Sequence, residues 1–175
     1  MAAASKMLQA QAKSGLLPNM MLNWLWLSLF VVLSDQASKS LVDHKMRLYE
    51  SIPLIPHFQL TYLRNEGAAF SFLSQAGGWQ RWFFIVLAVV ASSLICFWLF
   101  KLRREQKAEA MGWSLVLGGA IGNLIDRAAF GYVIDFLDVY YESWHWPAFN
   151  IADSAITVGI AMLLWNSFRQ THPES

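Results

Sequence analysis

The chain has 175 residues, 56% of them hydrophobic and only 14% charged, with a formal net charge of +1. So little charge cannot cover a soluble domain of this length, and so even a balance offers no basic field for nucleic acid. Nine Trp and twelve Phe suit aromatic belts at two interfaces, and the composition predicts one integral membrane domain.

Residues 1–19 are small, polar and weakly basic, and read as a disordered cytoplasmic lead. A cleaved signal peptide is not expected, because the apolar run from Met20 is long enough to span and ends in charge. A bilayer core takes about 20 mainly apolar residues, which predicts spans at 20–42, 79–100, 111–130 and 149–168. Between the first two, Phe58, Leu60 and Tyr62 alternate with Gln59 and Thr61, the period of a half-buried strand. Pro53 and Pro56 suit its edge, and Asn65-Glu66-Gly67 suits a turn. The lone Cys96 lies in an apolar run, so it reads as packing, with no disulfide possible within the chain. In 131–148, Trp144, His145 and Trp146 read as an interfacial anchor, and Asp138 and Glu142 as solvated loop charges. Residues 171–175 are a short tail. Lys6, Lys13, Lys101, Arg103, Arg104, Lys107 and Arg169 gather on one side. Both termini and the 101–110 loop are therefore placed in the cytoplasm, and segments 43–78 and 131–148 outside. The expected fold is an all-α membrane protein of four transmembrane helices with a small extracytoplasmic β element.

Ionisable groups inside a bilayer are costly and are functional candidates by default. Asp35 and Asp126 each lie about 15 residues beyond the inner end of an outward-running span, near 22 Å up at 1.5 Å per residue. The fourth span runs inward and meets Asn150 and Asp153 in its first turns, while Asp135 follows the third. The costly groups thus share one outer layer. Asp35 with Lys39, Asn123 with Asp126 and Arg127, and Asn150 with Asp153 and Thr157 each stack on one helix face. Gly118-x-x-x-Gly122 lets the third span approach a neighbour closely.

Several chemistries remain open at this point. Asp35–Lys39 and Asp126–Arg127 read as charge-neutralised supporting pairs, yet Asp126 is also a candidate partner of Asp153. His44, His57 and His145 share no ligand spacing, so neither a metal nor another cofactor is expected. No G-x-S-x-G elbow is present and Cys96 has no nearby base, which leaves carboxylates as the catalytic material. A proton-coupled transporter or channel subunit competes with an enzyme, but no ionisable residue occurs between Trp82 and Phe100 of the second span. A non-catalytic assembly factor using the glycine face is the third reading.

Five motifs then occur in order: Asp35-Gln36-x-Ser38-Lys39, Asn65-x-Gly67-Ala68-Ala69-Phe70-Ser71, Gly122-Asn123-Leu124-Ile125-Asp126-Arg127, Val133-Ile134-Asp135-Phe136 and Phe149-Asn150-Ile151-Ala152-Asp153-Ser154. Together they resemble the motif set of signal peptidase II, over about Trp24 to Phe168. The resemblance implies an aspartic endopeptidase of the bacterial cytoplasmic membrane acting on diacylglyceryl-modified prolipoproteins. It would cut N-terminal to the lipidated cysteine. It maps the catalytic pair onto Asp135 and Asp153. It makes Asp35, Lys39, Asn65, Gly67, Asn123, Asp126, Arg127 and Asn150 substrate-binding or supporting residues. Prolipoprotein and membrane lipid are the implied partners, and a monomer is expected because no second complementary surface is apparent.

Overall fold

The computed structural model describes residues 23–67 and 78–171. The lead at 1–19, the start of the first predicted span at 20–22, the motif residues Ala68 to Ser71 and the tail from 172 lie outside the described residues. In chain order the elements are α1 (Leu25–Lys45), β1 (Ser51–Ile55), β2 (Phe58–Asn65), α2 (Trp79–Lys101), α3 (Lys107–Ala129), β3 (Val133–Tyr141), β4 (Trp144–His145) and α4 (Ile151–Thr171).

Three helices among the described residues are long and apolar enough to cross a membrane: α2, α3, and Ile151–Arg169 of α4. The sequence predicts four such spans. The difference lies in α1, which has 21 residues but carries Asp35, Gln36 and Lys39 in its middle and C-terminal part. Helix α2 is the most lipid-suited, with Trp82, Phe83, Val86, Val90, Leu94 and Phe97 all exposed. Helix α3 packs against α1, α2 and α4. Its glycines set those distances. A Cβ on Gly119 would lie 2.3 Å from the Ala152 carbonyl oxygen, and one on Gly122 would lie 2.7 Å from Asp35 Oδ2. Lipid gives helices no hydrophobic reason to associate, so close backbone approach at small residues carries much of the packing.

The β element is larger than the alternating residues 58–62 suggest. It is a four-stranded antiparallel sheet in the order β1-β2-β3-β4. Strand β3 occupies the segment that reads as an interfacial loop. Its run Val133-Ile134-Asp135-Phe136-Leu137 is rich in β-branched and aromatic residues, which fit a pleated, half-buried surface. Leu63 pairs with Asp135 and Asn65 with Val133, and a register shift between Leu60 and Leu63 re-aims β2 beside them. Val42, Met46, Tyr62, Ile134 and Phe136 form one buried cluster, fastening the sheet to the end of α1. Phe149 closes the other side, donating to the Leu137 carbonyl and accepting from the Phe136 and Leu137 N–H groups. The start of α4 is thereby stitched to β3.

Candidate active site

Asp135 stands on β3 and Asp153 in the first turn of α4, and both line one cavity of about 590 Å³ at the junction of helices and sheet. Asn65, Asn123 and Arg127 line it too. It reaches the exposed flank of α4 at Thr157 and Val158, so it opens sideways as well as towards the sheet.

The local structure of α4 explains where Asp153 points. Asn150 Oδ1 accepts the Asp153 N–H at 2.9 Å, and the Asp153 carboxylate accepts the Asn150 N–H at 3.3 Å. This reciprocal capping satisfies backbone donors that an N-terminal turn leaves without helical partners. The other Asp153 oxygen accepts from Asn123 Nδ2 at 2.8 Å. Asp135 is held by two amides, Asn150 Nδ2 at 2.7 Å and Asn65 Nδ2 at 2.9 Å. Asn65 is in turn fixed by the Gly67 N–H, 3.0 Å from its side-chain oxygen. Burial and then the nearby Asp153 charge push the Asp135 carboxyl up to about 7, against the opposing pull of the Asn65 and Asn150 hydrogen bonds.

Asp35, Lys39, Asp126 and Asn150 lie behind the cavity wall, each 2% exposed or less. Lys39 Nζ spends its three protons on Asp35 at 2.7 Å, Asp126 at 3.0 Å and Asn123 Oδ1 at 3.0 Å. Asp35 also accepts the Ala152 N–H at 2.9 Å, a free donor of α4, and Asp126 accepts the Ile134 N–H at 3.1 Å. One ion cluster therefore ties α1, α3, α4 and β3 together. The Asp126–Arg127 pair expected from the sequence does not form, because Asp126 faces Lys39. Arg127 instead donates to the Gly67 carbonyl at 3.2 Å and lies 4.9 Å over the Phe84 ring.

Of the remaining cavity wall, Pro147, Ala148, Ile156 and Val158 escaped the sequence reading, and Trp146 read there as an interfacial anchor. Trp146-Pro147 just before a capping Asn was the available signal, since the residue before proline favours an extended backbone. Asp138 needs a correction as well. It is 4% exposed, not a solvated loop charge, because β3 turns it under β2, where Gln59, Thr61 and His145 bond it. Glu142 is exposed as expected, and Trp144 and Trp146 remain more than half exposed.

The structure is similar to one described as a bacterial membrane enzyme, solved by the in meso method at 2.3 Å, with TM-score 0.79, 30% identity, and cover of 87% of this chain and 92% of that one. A second such structure, at 1.9 Å, has TM-score 0.71 and 31% identity over 82% and 91% of the two chains. Lipid-suited helices under a small sheet, with ionisable side chains gathered in a cavity between them, define a membrane enzyme. The family model described as signal peptidase (SPase) II matches residues 27–169. The chain belongs to that family and is a protease of the signal peptidase II type. The lipoprotein signal peptidase of Pseudoalteromonas translucida (strain TAC 125) is 51% identical over 93% of this chain and 94% of its own length. That of Shewanella oneidensis is 50% identical over 87% and 90%.

Proposed function

We propose that this protein removes signal peptides from diacylglyceryl-modified prolipoproteins, cutting N-terminal to the lipidated cysteine, with Asp135 and Asp153 as an aspartic catalytic pair. The carrying observation is that these two carboxylates, from different elements, line one cavity. Carboxylates that feel each other in a shielded site ionise together only at a cost, so the pair holds one proton at neutral pH. The ionised member takes a proton from a water whose oxygen bonds to the scissile carbonyl carbon. The protonated member gives its proton to the carbonyl oxygen. Collapse of the tetrahedral intermediate breaks the C–N bond, and the amine leaves with a proton returned through the pair. Asn65, Asn123 and Asn150 orient the carboxylates, and Arg127 with the Gly67 carbonyl borders the substrate path.

In this reading α1 is the fourth span. Its charges are sealed in the Lys39 cluster, while Trp26, Leu29, Phe30 and Leu33 are exposed to lipid. The positive flanks place both termini in the cytoplasm and the cavity near the outer face of the bacterial inner membrane. A signal peptide is itself an apolar helix, so the exposed α4 flank at Val158 gives it a lateral entrance from lipid. The protein acts as a monomer without metal or cofactor.

The test is a gel-shift assay on a lipidated precursor. Wild type is expected to shorten it, while Asp135→Asn and Asp153→Asn, folded and inserted, should lose at least about a thousandfold in rate, as removal of a central catalytic group typically does. Full activity in either variant would refute the pair.

A further inference from the structure

A second cavity, about 470 Å³, lies on the outer sheet and takes no part in this mechanism. Ser51 of β1, Gln59 and Thr61 of β2, Asp138 of β3 and His145 of β4 line it. Trp146, Pro147 and Ala148 line both cavities, so the two adjoin across that segment. Their chemistry differs. The first runs out along α4 past Ile156 and Val158, whereas the second is lined by polar side chains from all four strands, Asp138 among them.

Asp138 organises that lining. Its oxygens accept from Gln59 Nε2 at 2.7 Å and Thr61 Oγ1 at 2.9 Å, and face His145 Nδ1 at 3.0 Å. Gln59 also reaches Thr61 Oγ1 at 3.0 Å, and the Ser51 and Thr61 hydroxyls are 3.0 Å apart. Burial pushes the Asp138 carboxyl up, but the bonds from His145, Gln59 and Thr61 outweigh this and hold it below the usual carboxylate range. It is therefore charged at neutral pH. Strand pairing alone does not call for a buried charge with three polar partners around an open volume, since such a group costs free energy unless each partner is in place. A concave site with a few convergent polar groups has the character of a ligand site.

We propose that this cavity receives the polypeptide that follows the scissile bond, the first residues of the mature lipoprotein, and disfavours acidic side chains there. The inference rests on the peptidase reading above. The apolar signal peptide occupies the lipid-facing flank of α4, so the chain beyond the reacting carbonyl leaves in the opposite sense, over Trp146–Ala148 towards the sheet. An extended segment brings backbone N–H and C=O groups that the Gln59, Ser51 and His145 side chains can pair. The Asp138 charge repels a second carboxylate at short range.

The test uses two lipidated precursors, one ending just after the cysteine and one continuing as a neutral polar tail, with kcat and KM measured for each. Wild type is expected to show a KM several-fold lower for the longer substrate. Gln59→Ala, Ser51→Ala and Asp138→Asn should erase that difference with little change in kcat. Acidic residues early in the tail should raise the wild-type KM several-fold, and much less in Asp138→Asn. Equal KM for both substrates in wild type would overturn the proposal. So would variants that raise both KM values alike, which is what a merely structural role produces. If Asp138→Asn does not fold, the less buried Ser51 and Gln59 variants decide. Cleavage of the short substrate by wild type but not by Asp153→Asn leaves the peptidase reading standing whatever the tail does.

Discussion

Asn65 and Asn150 place two amide donors on one carboxyl, and a donor favours the ionised form of its acceptor. Activity that needs one proton on the pair should fall as pH rises through about 7, where Asp135 loses its proton, and fall again in acid once both carboxyls are protonated. Asn65→Ala removes a bond that lowers the Asp135 value, so the alkaline limb of kcat should move to higher pH. A limb that stays in place or moves down would mean that Asn65 does not act through Asp135. Lys39 poses a different question. It is 2% exposed and neutralises two carboxylates that are themselves no more than 1% exposed. Lys39→Met leaves both buried without a cation, and breaking a buried pair on one side typically costs about 3–5 kcal/mol. Thermal unfolding in detergent should show a large drop in Tm for Lys39→Met.

At the scale of elements, the site depends on how closely α3 approaches α4 and α1. The Ala152 carbonyl sits where a Gly119 side chain would begin, and that carbonyl is one residue before Asp153. Backbone cannot swing aside as a flexible side chain can, so Gly119→Ala must push α4 away. The expected result is a loss of activity out of proportion to its helix propensity, which favours Ala over Gly by about 1 kcal/mol. Substitution by Ala at Gly78, where nothing lies within 4 Å, tests only its positive φ of 92° and serves as the contrast. The glycine face, the placing of Asn150 and Asp153 at the start of the last helix and the alternation in β2 were legible in the sequence, because each is a short-range pattern. Strand β3 was less so, since strand propensity says little until a partner is known. Asp138 was misread for that reason: three residues on other segments make it a buried group.

Across the whole molecule, charge and apolar surface are segregated. Helix α2 turns one broad apolar face to lipid and packs the other on α3, while ionisable groups collect where the helices meet the sheet. The proposed topology predicts that a reporter active only in the cytoplasm will be active when fused after Ser175. An inactive reporter there, with export reporters active, would reverse the orientation. Among the described residues no group of three or more His, Cys, Asp or Glu is placed to hold a metal ion, and cleavage should be unchanged in EDTA. Loss of cleavage that Zn²⁺ or Mg²⁺ restored would require a different mechanism.

The sequence by itself determined the membrane class, through its apolar content, and the family, through five motifs in order along nearly the whole chain. These are properties of composition and spacing, which need no knowledge of what touches what. Only the tertiary structure decided that Asp126 faces Lys39 rather than Arg127, that Asp135 shares a cavity with Asp153, and that a second cavity adjoins the first. Each depends on residues up to 117 positions apart, as in the Asp35–Ala152 bond, meeting through packing that no local pattern encodes.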